Sequence, residues 1–86
     1  MKIIFKKSFE KQLQNLWIKI KDKFKDRLGI YLLNKYSQEL NYHKLKWELN
    51  QFYSINITWD IRAIFKEEDD TIIIFYMIWT HSELYK

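Results

Sequence analysis

The chain carries the stretch FYSINITWDIRAIFKEEDDTIIIFYMIW at residues 52–79, and the hydrophobic pattern of this stretch decides the fold class. Apolar and polar residues alternate at its start, so Ser54 and Asn56 share one face of a strand. The continuous apolar run near its end is typical of a central strand buried on both faces. The stretch predicts an antiparallel meander of three strands, Phe52–Thr58, Ile61–Lys66 and Thr71–Trp79, with turns at Trp59–Asp60 and Glu67–Asp70.

The residues before this meander predict a short strand and a helical segment. Lys2–Lys6 is apolar and β-branched, as is typical of a strand, and Ser8 follows as a candidate helix N-cap. From Phe9 to Leu32, apolar residues recur every three or four positions, which is helical spacing. The run is long for one helix, so a break near residues 15–19 would make it an antiparallel helical hairpin.

The end of the chain predicts one more helical turn. Thr80 and Glu83 have the spacing of a capping box, which places this turn over Ser82–Tyr85. The order of elements predicts an α+β fold, in which an N-terminal strand and a helical hairpin pack on an antiparallel sheet. With 86 residues, we expect a single domain spanning residues 1–86.

The composition excludes several classes of protein. Without cysteine there is no disulfide framework and no thiolate chemistry, and two histidines are too few for a structural zinc site. The longest apolar run, Ile72–Trp79, is far shorter than the roughly 20 residues of a membrane helix, and the start has no signal-peptide core. We therefore expect a soluble cytoplasmic protein.

The charge is distributed unevenly along the chain. Residues 1–35 hold ten Lys and Arg against three acidic residues, giving +7, whereas residues 36–86 hold five against eight, giving −3. A basic half of this kind suits a polyanion such as a nucleic acid, and it equally suits an acidic protein. A solvated helix face that includes Lys19–Lys25 explains the same pattern without any partner.

Few side chains can transfer a proton near neutral pH. His43, Asp60, Arg62 and His81 all lie at or near the ends of predicted segments, where a rigid sheet can bring distant residues together. Each of them alone is weak support for catalysis. Together they suffice for RNA cleavage without metal: one group removes the 2′-hydroxyl proton, a second protonates the leaving 5′-oxygen, and a cation stabilises the phosphorane.

Three ordered motifs carry a family resemblance: HKL at residues 43–45, DIRAIF at 60–65 and THSELY at 80–85. In this order and spacing, the chain resembles the RelE/ParE superfamily of type II toxins, and specifically its YafQ-like branch. The resemblance implies a toxin that cleaves mRNA in the ribosomal A site and is held inactive by a cognate antitoxin. Two alternatives stay open: a ParE-like toxin that inhibits DNA gyrase, and a catalytically impaired relative that only binds its antitoxin.

The resemblance also implies roles for individual residues. His43, Asp60 and His81 match acid and base positions, with His81 as general acid and Asp60 or His43 as base, although these roles could be exchanged. Arg62 matches a phosphate-binding arginine, and Tyr85 matches an aromatic residue near the scissile site. Asn56 replaces a catalytic histidine, so it could bind substrate but could not shuttle a proton, and Met77 replaces an arginine.

Tryptophan stands at three positions where the resembled family typically has glycine: Trp47, Trp59 and Trp79. The chain has four tryptophans and one glycine, so one event could explain both the excess and the deficit. Our hypothesis is that the gene has UGA codons at these three positions. Some bacteria read UGA as glycine, whereas another genetic code reads it as tryptophan. UGG at all three positions in the gene would exclude it. The alternatives are that the indoles stack on RNA bases, or that they pad the sheet or an antitoxin interface.

Overall fold

The structure, a computed structural model, describes residues 1–80, with Thr80 described by its backbone alone. The chain forms five strands and two α-helices, joined by short turns and two 3-10 segments. In chain order, the elements are β1 Lys2–Phe5, α1 Lys7–Gln14, α2 Ile18–Leu33, β2 His43–Lys44, β3 Tyr53–Asn56, β4 Ile61–Glu68 and β5 Ile72–Thr80, with 3-10 segments at Gln38–Leu40 and Trp47–Leu49.

The strands form one mixed sheet in the order β1-β5-β4-β3-β2. Strands β3, β4 and β5 make the predicted antiparallel meander, which confirms the α+β fold. Strand β1 joins the same sheet but runs parallel to β5, with Lys2 paired to Ile72 and Phe5 to Phe75. Strand β2 was not predicted, because its two residues are too few to show a period of two.

The helical hairpin is also confirmed. Helix α1 ends at Gln14 and α2 begins at Ile18, so the break falls within the predicted interval. The predicted cap is wrong: Lys6 occupies the N-cap, and the Ser8 hydroxyl instead donates to the backbone oxygen of Tyr76 at 2.9 Å. Neither helix of the described part of the chain is long and apolar enough to cross a membrane.

Both turns of the meander differ from the prediction. Strand β3 ends at Asn56, and residues 57–60 form a four-residue loop in place of a two-residue turn. In this loop the Thr58 hydroxyl accepts hydrogen bonds from the backbone N–H groups of Asp60 and Ile61, at 3.3 and 3.1 Å. Glu67 and Glu68 belong to β4, so the second turn begins only at Asp69. The predicted turn over Ser82–Tyr85 lies outside the described residues.

The helices pack on one face of the sheet through a cluster of phenylalanines. The centroid of the Phe75 ring lies 5.2 Å from that of Phe9, 5.3 Å from that of Phe24 and 5.1 Å from that of Phe65. All four side chains are buried. The register shifts between Ile64, which pairs with Met77, and Phe65, which pairs with Phe75. This bulge leaves Tyr76 unpaired on β5.

We call the opposite side the second face of the sheet. Because side chains alternate along a strand, it carries the side chains of Ser54 and Asn56 on β3 and of Arg62, Ile64 and Lys66 on β4. On β5 it carries Tyr76, Met77 and Trp79, because the bulge shifts the alternation by one residue.

A half-buried carboxylate on β4 connects this strand to the end of α2. The Glu67 carboxylate accepts hydrogen bonds from the hydroxyls of Tyr31 and Tyr42. The Tyr42 hydroxyl lies 2.6 Å from Glu67 Oε1, and Lys35 Nζ lies 3.3 Å from Glu67 Oε2. Burial alone would raise the pKa of Glu67, but these three partners together lower it below its ordinary value. Burial and the neighbouring carboxylate raise the pKa of both tyrosines. At neutral pH the cluster is therefore an ionised carboxylate held by two neutral phenols and an ammonium.

Replacing this carboxylate should destabilise the fold in a pH-dependent way. We expect Glu67→Gln to lower the free energy of unfolding at neutral pH by about 1–3 kcal/mol, because both phenols lose a charged acceptor. The folded-state pKa of Glu67 lies below the ordinary value of 4.5. The stability that Glu67 contributes is therefore complete above pH 4.5 and is lost as the pH falls through the folded-state pKa. The variant should therefore lose less stability than the wild type on acidification.

Urea denaturation at a series of pH values measures this difference. Glu68→Gln is the matched control, since it removes the same charge from the next, exposed residue. Equal destabilisation by the two substitutions would contradict the prediction.

Trp47 has a backbone conformation that favours glycine. Its φ is +62°, in the left-handed region, and its side chain is 88% exposed, so packing does not compensate for the strain. Trp59 is as exposed, at 89%, but is not among the residues with positive φ. A two-residue turn at Trp59–Asp60 would often require positive φ at position 59, but the loop there has four residues and does not require it.

These two tryptophans make a matched pair for a stability test. We expect Trp47→Gly to raise the free energy of unfolding by about 0.5–1 kcal/mol, because relief of left-handed strain exceeds the added entropy of the unfolded chain. Trp59→Gly should leave stability unchanged or lower it, because it adds the same entropy without relieving strain. Urea denaturation of both variants checks this, and a stabilising effect at position 59 alone would contradict it.

Candidate functional site

Several of the predicted site residues lie in two neighbouring rows on the second face, where a row is a line of residues paired across adjacent strands. In the first row, Asn56 pairs with Arg62, and Arg62 pairs with Trp79. In the second row, His43 pairs with Ser54 at the edge of the sheet. Side chains directly opposite each other on antiparallel strands have Cβ atoms about 5 Å apart, and diagonal neighbours lie about 7–8 Å apart. Asn56 therefore lies between the other two, directly opposite Arg62 on β4 and one diagonal step from His43 on β2.

The backbone before β2 fixes the tautomer of His43. Asn41 adopts a left-handed conformation, with φ of 47°, and its carbonyl oxygen lies 2.7 Å from His43 Nδ1. A carbonyl oxygen can only accept a hydrogen bond, so Nδ1 of the neutral imidazole carries the proton. The lone pair of Nε2 is then available to accept a proton, which is the arrangement that a general base needs.

Three polar atoms on the second face are buried without a hydrogen-bond partner among the described residues: Ser54 Oγ, Asn56 Oδ1 and Arg62 Nε. An unsatisfied buried polar atom costs about 1–3 kcal/mol, so three in adjacent positions make this part of the second face a candidate ligand site. Arg62 offers donors in a planar fork that suits an anion, and Asn56 offers an acceptor.

Asp60 lies at the same end of the sheet. It is half-buried in the 57–60 loop, and Ile61, the next residue, pairs with Thr80 at the end of β5. The two ion pairs found within residues 1–80 join Arg27 to Glu39 and Lys35 to Glu67. Within these residues, Arg62 and Asp60 are therefore not paired with each other.

The other predicted site residues, His81 and Tyr85, lie outside the described residues. The register nevertheless fixes where the chain leaves β5: Thr80 pairs with Ile61, next to Asp60. Within the part of the chain that the structure describes, no group of three His, Asp or Glu side chains could hold a metal ion.

Sequence reasoning missed Ser54 and the surroundings of His43. The alternation of β3 predicted the face of Ser54 but not its complete burial, which depends on the unpredicted pairing with β2. A cavity of about 400 Å³ opens beside His43, with a lining that follows the chain from β2 into the 3-10 segment: His43, Lys44, Leu45, Lys46, Trp47 and Leu49. The HKLKW run was the available signal, because it places an imidazole next to two lysines and an indole.

Solved structures share this fold across nearly the whole chain. YafQ from E. coli strain BL21(DE3) superposes with a TM-score of 0.79 at 17% identity, covering 98% of this chain and 97% of that one. A YoeB/ParE toxin from Agrobacterium tumefaciens gives 0.77 at 15% identity, with coverage of 94% and 99%. The RelB-RelE antitoxin-toxin complex from Methanococcus jannaschii gives 0.72 at 22% identity, with coverage of 95% and 94%.

A family model identifies the chain more directly than these superpositions. No curated protein sequence matches it significantly. The model of the ParE toxin of type II toxin-antitoxin systems, parDE, matches residues 3–85. The resemblance noted in the sequence is thereby confirmed at the level of the superfamily, and the chain belongs to the ParE toxin family of type II toxin-antitoxin systems, within the RelE/ParE superfamily.

Proposed function

We propose that residues 1–86 act as one toxin domain that cleaves mRNA in the ribosomal A site by acid-base catalysis, without a metal or an organic cofactor. The observation that carries this proposal is the grouping on the second face. His43, whose Nε2 has no hydrogen-bond partner among the described residues, lies in the row next to Arg62 and Asn56, whose buried polar atoms also lack partners there. A phosphodiester oxygen would accept a hydrogen bond from Arg62 Nε, a ribose hydroxyl would donate one to Asn56 Oδ1, and the 2′-hydroxyl would supply the proton that His43 could take.

The chemistry needs two proton-transfer groups and one cation. His43 Nε2 or the Asp60 carboxylate removes the proton from the 2′-hydroxyl, whose oxygen then attacks phosphorus. The bond from phosphorus to the 5′-oxygen breaks, and His81 protonates that oxygen as it leaves. Arg62 stabilises the charge on the phosphorane, while Asn56 and Tyr85 position the substrate.

A gyrase inhibitor of the ParE type is the second candidate, because the matching family model is that of ParE. Binding alone gives no reason to fix the tautomer of His43 or to leave Arg62 unpaired, so the geometry favours the nuclease. A third candidate is a relative that binds its antitoxin without cleaving RNA. Trp79, directly opposite Arg62, favours this candidate, since a large indole there narrows the space for a phosphate.

We further propose a cognate antitoxin as the protein partner. The similar toxin from Methanococcus jannaschii was solved together with its antitoxin. Helix α2 offers a basic surface, with Lys19, Lys23 and Lys25 exposed, which an acidic antitoxin segment would cover. The pair would act in the cytoplasm, where the ribosomal substrate is found.

Induced expression separates the three candidates. We expect growth arrest with mRNA 5′ ends mapping to codon boundaries. DNA damage linked to gyrase would instead support the ParE-like toxin, and the absence of growth arrest would support the impaired relative. The neighbouring open reading frame, co-expressed, should restore growth.

Substitution of the predicted proton-transfer residues tests the mechanism. We expect His43→Gln and His81→Ala each to lower the cleavage rate by about 100-fold or more, because general acid-base groups contribute on this order. Lys11→Gln is the control, because Lys11 is exposed on α1 and lies away from α2, and thermal denaturation shows that each variant is folded. Undiminished cleavage by His81→Ala would refute the role of His81, and the same result for His43→Gln would leave Asp60 as the base.

Arg62→Ala tests the phosphate site independently of proton transfer. We expect a loss of about 100-fold or more in cleavage, typical of removing one group that stabilises an oxyanion. Arg62→Lys should recover part of this loss, because it restores the charge without the planar fork. Cleavage in Arg62→Ala equal to that of the wild type would contradict the assignment.

A further inference from the structure

A second cationic cluster lies on the second face, at the opposite end of β4 from Arg62. Lys66 Nζ lies 5.0 Å from the ring centroid of Phe52 and 5.2 Å from that of Tyr76. Lys6 Nζ lies 5.4 Å from the same Tyr76 ring. The Phe52 and Tyr76 rings meet edge to face, with centroids 5.1 Å apart. We call these four side chains the Lys6–Lys66 cluster.

The rings hold two ammonium groups at one place on the second face. Lys6 and Lys66 take part in neither of the ion pairs found within residues 1–80. Both ammonium groups lie near the same Tyr76 ring, 5.4 and 5.2 Å from its centroid, so their positive charges add to one local potential. Attraction to the ring faces stabilises each ammonium group, and a bound anion would be attracted to both.

The amino end of α1 adds to the positive potential at this point. Lys6 is the N-cap of α1, and no side chain caps the first turn of this helix. The hydroxyl of Ser8 is instead occupied with the backbone oxygen of Tyr76, which anchors the helix start on β5 beside the cluster. Free N–H groups and the helix dipole at a helix start favour an anion such as a phosphate.

The bulge in β5 creates the cluster. Since Phe65 pairs with Phe75 and Ile64 pairs with Met77, Tyr76 is the extra residue, and its ring lies on the second face next to Lys66. Arg62 and Lys66 are four residues apart on the same face of β4, which is about 13 Å along a strand. A single-stranded nucleic acid covers such a distance with a few nucleotides.

We infer that the Lys6–Lys66 cluster binds a backbone phosphate of single-stranded RNA, a few nucleotides away from the phosphate at Arg62. This inference rests on the proposed function and extends it. The cluster contributes affinity and sets the direction of the strand across the second face, but it takes no part in bond cleavage. Because the ring faces are occupied by ammonium groups, it should bind phosphates without preference for a base.

The test compares two double variants with the same change in net charge. Lys6→Gln with Lys66→Gln removes the cluster, and Lys23→Gln with Lys25→Gln removes two exposed charges from α2. Each protein is titrated with a single-stranded oligoribonucleotide carrying 2′-O-methyl groups, so that it cannot be cleaved, over a range of salt concentrations. Thermal denaturation confirms that both variants are folded.

We expect the cluster variant to bind at least about fivefold more weakly than the α2 variant at low salt. The slope of its log affinity against log salt should fall in magnitude by about 0.7, the value for one lost phosphate contact on a single strand. Lys66→Arg should retain both properties, because it keeps the charge. Equal affinities and equal salt slopes in the two double variants would overturn the inference, as would a wild type that does not bind this RNA.

Two further measurements separate this inference from the nuclease proposal. If the wild type cleaves nothing but the cluster variant still loses RNA affinity, the cluster stands and the nuclease proposal fails. If the cluster variant loses affinity for the antitoxin while its RNA affinity is unchanged, the cluster is a protein-binding site and the inference is wrong.

Discussion

The packing of Phe75 against Phe9, Phe24 and Phe65 is the interaction on which the rest of the structure depends. These four rings join β5 and β4 to both helices, and burying them orients each strand in one way only. Once Phe65 and Phe75 face the helices, alternation sends Arg62, Ile64 and Lys66 to the second face. A one-residue slip of β4 would exchange the two sets and bury two cations in the core.

The bulge at Tyr76 makes this core packing possible and also determines which β5 side chains lie on the second face. Without it, Phe75 and Ile78 could not both contact the core, because residues three apart on a regular strand lie on opposite faces. The extra residue places Tyr76 and Met77 side by side on the second face. One irregularity therefore sets both the hydrophobic contacts of β5 and the surroundings of the proposed RNA-binding residues.

The three tryptophans in glycine-like positions do not behave alike. Trp47 has the positive φ that glycine would relieve, whereas Trp59 lies in a four-residue loop without that requirement, and Trp79 extends a regular strand opposite Arg62. Backbone strain therefore supports glycine at position 47 alone. Recoding of all three remains a prediction, which the codons of the gene decide.

The meander, the helical hairpin and the alternating faces of β3 follow from the sequence alone, because periods of 2.0 and 3.6 residues are visible in a single chain. The sequence did not predict the two-residue strand β2, the parallel pairing of β1 or the burial of Ser54, since each arises from contacts between residues far apart in the chain. Nor did it predict that Glu67 leaves the acidic turn to accept hydrogen bonds from two tyrosines, because their approach depends on how α2 packs on the sheet. Which polar groups meet a partner within the described residues, and which, like Arg62 Nε, do not, depends on the tertiary structure, because local patterns specify the direction of a side chain but not what it meets.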